Sequence, residues 1–131
     1  MSGVPILGEI FEADADLVAY AASIIGGALG LGGTLPAIVL GTISAVDLKT
    51  LSAGPRRRVA ERVQVTVMAN NYAEMKDGIR LVRAAGAGRL GDFAGATEVS
   101  VQLDGTGPDF ITDDPTIWCG SQDFIVSYNE A

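Results

Sequence analysis

The stretch RVQVTVMANNYAEMKDGIRLV, from Arg62 to Val82, changes its hydrophobic period at Asn70-Asn71. Upstream, Val59, Val63, Val65, Val67 and Ala69 share one side of an alternating pattern, with Arg62, Gln64 and Thr66 on the other. Successive side chains leave a strand on opposite faces, so this alternation among β-branched residues predicts a half-buried strand. Downstream, Tyr72, Met75, Ile79 and Val82 fall at helical spacing, with Glu74, Lys76, Asp77, Arg80 and Arg83 between them. Asn71 precedes Glu74 by one helical turn, an asparagine version of the capping box that satisfies orphan N–H groups at a helix start. A strand therefore runs directly into a helix.

The flanking segments extend the plan. LPAIVLGTIS (Leu35–Ser44) reads as a strand, as do ATEVSVQL (Ala96–Leu103) and the run Thr116–Tyr128 that contains SQDFIVSY. Within the last, Phe124, Val126 and Tyr128 form the inner face, continued by Trp118, and Ser121, Asp123 and Ser127 face outward. Upstream, Ile6–Ala22 reads as helix with a break near Asp14. The segment Ala45–Arg58 is a polar excursion between two strands, and glycine-rich Ala84–Gly95 joins helix to strand. The expected fold class is α+β in a single domain, 1–131. It has an antiparallel sheet of about four strands packed against one main helix, plus an N-terminal helical region. Residues 1–34 make the helical, glycine-rich N-terminal part and 35–131 the core sheet and helix.

Composition excludes several function classes. The 131 residues are enough to bury a core without covalent staples. A single cysteine, Cys119, rules out an intrachain disulfide and reads as a small buried hydrophobe beside Trp118. Histidine is absent, which removes the commonest general base, the commonest zinc ligand and any Ser-His or Cys-His pair. No enzyme, metal site or cofactor is expected. Ser121, Asp123 and Ser127 lack a general base, so they make no hydrolase. The net charge of −7 argues against a protein that coats duplex DNA. Asp104, Asp109, Asp113 and Asp114 offer oxygen ligands, but without the alternating spacing and distal glutamate of a calcium loop. Framed by Pro108 and Pro115, they read as a solvated connection.

From Leu17 to Val46 no charged residue occurs. Hydropathy alone would make this a membrane-span candidate. Gly26, Gly27, Gly30, Gly32, Gly33 and Gly41 interrupt it, Pro36 stops a helix, and no basic residue precedes Lys49 to set an orientation. A buried strand approached by a glycine-rich connector fits better. GGALGLGGT (Gly26–Thr34) lacks the Gly-Lys-Ser/Thr ending of a phosphate loop and leads into a strand, so it reads as a turn.

The ordered set of elements from Leu35 to Glu130, above all the strand-to-helix join and the closing Ser-Gln-Asp-Phe strand, resembles the tail-completion (tail-terminator) family of long-tailed phages and related gene-transfer particles. Residues 1–34 lie outside the resemblance, and Cys119-Gly120 depart from the polar or basic residues common there. The resemblance implies a structural virion protein, made in the host cytoplasm and carried in the tail or neck. It would close the tail tube as a homo-hexameric ring, contacting the tail-tube protein and presenting a docking surface to the head connector or stopper. DNA would at most pass through the lumen, and no membrane is involved. The alternatives are a neck or head-to-tail joining protein at another position, or a small soluble ligand-binding module.

The chain itself offers a candidate interface. Val46, Leu48 and Leu51 are apolar, yet they lie in the Ala45–Arg58 excursion beside Asp47, Lys49 and the only basic run, Arg56, Arg57 and Arg58. An apolar patch rimmed by charge is what a protein contact leaves on an isolated subunit. Leu48, Leu51, Arg56, Arg57 and Arg58 are therefore the candidate subunit or tube interface, with Asp109–Asp114 or Glu9–Asp16 as acidic counterparts. A lumen-lining role for the arginines is the alternative.

Overall fold

In the computed structural model, which describes residues 3–27, 35–48, 57–112 and 117–130, the period change at Asn70-Asn71 is the junction between strand β3 (Arg57–Ala69) and helix α3 (Tyr72–Gly86). The Asn71 side chain accepts from the Glu74 N–H at 2.8 Å. The Asn70 N–H in turn donates to the Glu74 carboxylate at 3.2 Å, one residue upstream of the usual capping-box position. Helix α3 is thus started locally by sequence. Replacing Asn71 with alanine is expected to cost about 1 kcal/mol, lowering the urea midpoint without changing the slope. A midpoint identical to wild type would mean that water serves the helix start equally well.

Two helices precede the sheet, α1 (Gly3–Glu12) and α2 (Ala15–Tyr20). The break between them is an N-cap, the Asp14 carboxylate accepting from the Leu17 N–H at 3.0 Å. Strands β1 (Ser23–Gly26) and β2 (Ala37–Leu48) come before β3; β4 (Leu90–Phe93), β5 (Ala96–Thr106), β6 (Phe110–Ile111) and β7 (Trp118–Glu130) follow α3.

The expectation of about four antiparallel strands on one main helix is overturned. The chain forms a seven-stranded mixed sheet, curled into a half-barrel, in the order β1-β2-β3-β7-β5-β4, with β6 paired to β7 off that path. β1 runs parallel to β2, and the other pairs are antiparallel. The added strands are the short ones, β1, β4 and β6. They lie in segments rich in glycine or proline, where alternation is too brief to register and pairing comes from a longer neighbour. The long strands also run further than expected, β2 to Leu48 and β7 to Glu130.

All three helices contribute to one hydrophobic cluster with the sheet, through Ile6, Leu7, Ile10 and Phe11 of α1, Leu17 of α2, and Met75, Ile79 and Val82 of α3. The register sets Val59 opposite Tyr128 and Val63 opposite Phe124, so the apolar side of β3 and the even-numbered side of β7 form one face beneath the helices. Gly86 of α3 lets that helix close on the sheet, because a Cβ there would lie 2.6 Å from Cε1 of Phe124. Tyr20 donates to the Glu74 carbonyl at 2.6 Å and ties α2 to α3. Burial, then the nearby Glu74 and Asp77 charges, push its phenol up to about 12. Among the described residues no helix is long and apolar enough to cross a membrane.

Candidate assembly surface

The β2–β3 hairpin carries the sequence-predicted interface. Its ladder runs from Ala37 opposite Met68 to Leu48 opposite Arg58, with one register shift between Thr42 and Ser44. Ala45–Arg58 is therefore not an irregular excursion throughout. Strand continues to Leu48 and resumes at Arg57, because alternating residues in an antiparallel pair keep their hydrogen bonds even without a covering layer. Ile43 and Val46 are 49% and 58% exposed, a β-branched pair left in water near the hairpin's far end. The backbones of Leu48 and Arg57 sit in the ladder, and Leu51 and Arg56 lie outside the described residues.

Arg58 is engaged within the chain. Its guanidinium donates to the Glu98 carbonyl at 2.6 Å and to Asn129 Oδ1 at 3.3 Å. Glu98 sits in a register shift of β5 with φ of 52°, so Arg58 ties the Leu48 end of the hairpin to a bulge two strands away. It serves the hairpin as an anchor.

The residue that sequence reasoning missed is Glu61. Its side chain is fully buried on the helix-side face of β3. There its carboxylate accepts from the Gly3 N–H at 3.2 Å, the Thr42 hydroxyl at 2.7 Å and the Tyr128 hydroxyl at 2.8 Å. A buried carboxylate is tolerated only when hydrogen-bonded, and this one also faces the positive end of the α1 dipole. Gly3 leaves the space, since a Cβ there would collide with Glu61 Oε2. The signal was present in the sequence, as Glu61 interrupts the apolar side between Val59 and Val63.

A groove of about 580 Å³ lies between α1 and β1, with Leu40 of β2 also lining it. Val4, Pro5 and Ile24 are among its apolar walls, Gly8 forms part of its floor, and Glu9 and Glu12 stand on its rim. β1 ends the sheet, so its outer edge has no strand neighbour among the described residues. Glu9 accepts a hydrogen bond from the Ala94 N–H. Among the described residues Glu12 and Asp16 form no ion pair or side-chain hydrogen bond.

The remaining acidic candidates are dispersed. Asp104 pairs with Arg62 at 2.5 Å, and Asp109 pairs with Lys76 at 2.9 Å. That hydrogen bond to Asp109 is the main reason the Lys76 ammonium titrates above its ordinary value. Asp113 and Asp114 lie outside the described residues. Cys119 is buried, and burial raises its thiol pKa. Ser121, Asp123 and Ser127 lie along the sheet face turned away from the helices, with Ser121 buried.

No protein-family model matches the chain, and no curated protein matches it. Its fold is similar to that of a chain in a solved structure described as the virion of a native gene transfer agent particle, with a TM-score of 0.72. The identity is 12%, and the match covers 98% of this chain and 95% of that one. At that identity the likeness is one of fold, spanning the helices and the whole sheet together.

Proposed function

We propose that the chain is a structural protein of a phage-like or gene-transfer particle, one that completes the tail tube and offers the docking face for the head connector. The observation that carries this reading is the end-to-end fold likeness to a chain of a gene transfer agent virion. The resemblance from Leu35 to Glu130 points to the same class. In this reading the chain works as a homo-hexameric ring. The hairpin residues Leu48, Leu51, Arg56 and Arg57 lie at a subunit or tube interface, and Arg58 braces the hairpin from within. The tail-tube protein and the connector or stopper are the other partners. The ring is assembled in the host cell and leaves in the particle.

Deleting the coding sequence from a particle-producing strain tests this role. The expected result is unjoined heads with tails of uncontrolled length by electron microscopy, reversed by supplying the chain in trans. Tails of normal length with unjoined heads would move the chain to a neck position and contradict tail completion. Fully joined, infective or transducing particles would contradict any place in the head–tail junction.

A further inference from the structure

We propose that the sheet margin formed by β5 beyond Val101 and by β6 receives an extended, acidic segment of a different protein, which adds as a strand beside the cationic face of α3. The proposal rests on the assembly reading above and names a surface and a partner chemistry which that reading leaves open.

Lys76, Arg80 and Arg83 are spaced four and then three residues apart on α3 and therefore share one face of the helix. That face is turned to the margin. Lys76 pairs with Asp109, just before β6, and Arg83 donates to the Thr106 hydroxyl at 3.0 Å, at the end of β5. Their charges are unequally compensated. Asp109 answers Lys76, whereas Arg80 reaches only Asp77, at 3.8 Å, with its side chain 68% exposed. Arg83 is held by the neutral oxygens of Thr106 and Gln122 and pairs with no carboxylate among the described residues. Asp104, the other acid of this margin, is taken by Arg62. In a chain of net charge −7 this is a local excess of positive charge.

An apolar strip runs beside the cations. Leu103 lies opposite Phe124 and Ile111 opposite Trp118, so both point to the side of the sheet that carries the helices, yet both stay exposed. Tyr72, exposed at the first turn of α3, packs edge-on against Trp118 and extends the strip. Leucine and isoleucine side chains gain nothing from phosphates, and the net charge repels a DNA duplex. Exposed apolar groups among under-compensated cations fit a protein segment that brings both apolar side chains and carboxylates.

The backbone sets the mode of binding. Arg89 and Gly88 occupy the outward N–H and C=O of Val101, at 2.9 and 3.0 Å. Strand alternation turns the same groups of Leu103 outward, where no strand lies among the described residues. No described strand flanks the outer side of β6 either. An extended segment entering there gains backbone hydrogen bonds from the edge. The register shift between Leu103 and Thr106 keeps that pairing short, which blunts indiscriminate pairing and leaves selection to charge. A second copy offering the same edge would bring arginines against arginines, which disfavours self-pairing.

The test is titration of the purified full-length protein, followed through its backbone amide resonances, with two short peptides. One alternates valine with glutamate and the other alternates valine with lysine. The glutamate peptide is expected to shift the Leu103 and Ile111 amides and to bind about tenfold tighter than the lysine peptide at low salt, the difference shrinking as salt is added. Arg80→Glu changes an exposed side chain and leaves the Arg83 bonds in place, and it should weaken the glutamate peptide about fivefold. Adding Arg83→Glu should reverse the preference. Resonances remote from the margin verify that each variant is folded.

Equal affinity for the two peptides, shifts confined to another edge such as β1, or indifference to Arg80→Glu would overturn the inference. So would tighter binding of a DNA duplex at the same amides, or a wild-type protein that dimerises through this edge. The particle phenotype is a separate outcome. Tail completion through other surfaces would leave the deletion result intact and the peptides undiscriminated, whereas a charge-selective edge on a chain whose deletion leaves particles whole would contradict the tail reading alone.

Discussion

Replacing Glu61 with alanine is expected to destabilise the fold by about 3–5 kcal/mol, a large fraction of the roughly 5–15 kcal/mol available to a domain of this size. The carboxylate is fully buried and accepts from three donors on three different elements, Gly3 of α1, Thr42 of β2 and Tyr128 of β7. Truncation removes hydrogen bonds to a charged group and strands the Gly3 N–H in the interior. Each buried unsatisfied group costs on the order of 1–3 kcal/mol. It also removes the anion at the α1 N-terminus. Glutamine keeps an acceptor for Gly3 and Tyr128 and can donate to Thr42, so Glu61→Gln should lose less than half as much. Urea unfolding measures both variants. A Glu61→Ala loss below about 1 kcal/mol would mean that water enters and serves the stranded donor.

Phe124→Ala is the second large effect, about 3–5 kcal/mol. The ring is fully buried at the centre of the sheet, opposite Val63 on one side and Leu103 on the other. It meets Phe11 edge-on, with centroids 6.1 Å apart and planes at 62°. It also fills the space above Gly86, so one side chain joins α1, α3 and β7. Close packing leaves no neighbour positioned to collapse into the void. Phe124→Leu keeps most of the volume and should cost about 1–1.5 kcal/mol. Thermal unfolding of the pair is the check. Equal losses in the two variants would show that ring shape and edge-on contact, not volume, dominate at this position.

How much of this was legible in the sequence depended on how local each instruction is. The β3–α3 junction could be read because its alternation, its period change and its cap all lie between Val59 and Val82. The even-numbered apolar face of β7 could be read for the same reason. β1, β4 and β6 could not. Four-, four- and two-residue strands carry too little pattern, and each exists because a longer neighbour offers a free edge. β4 also needs positive-φ backbone at Gly91, Ala94 and Gly95 to turn toward β5, so its glycines look like a linker. The β2–β3 hairpin was half legible. Alternation marked its two strands, and the structure carries strand further on both sides, to Leu48 and from Arg57. Two features needed three dimensions. Arg58 reaches Glu98 across β7, and the α1/β1 groove is assembled from segments whose pairing no local pattern specifies. Glu61 was visible as a carboxylate on the wrong side of an alternation, and only its three donors explain it.

We propose above that this chain closes the tail tube as a ring of its own copies. A reconstruction of the purified particle at side-chain resolution tests it most directly. The expected result is this fold repeated as a single closed ring between the last tube ring and the head connector. Finding the fold elsewhere in the particle, or absent from it, would contradict the proposed role.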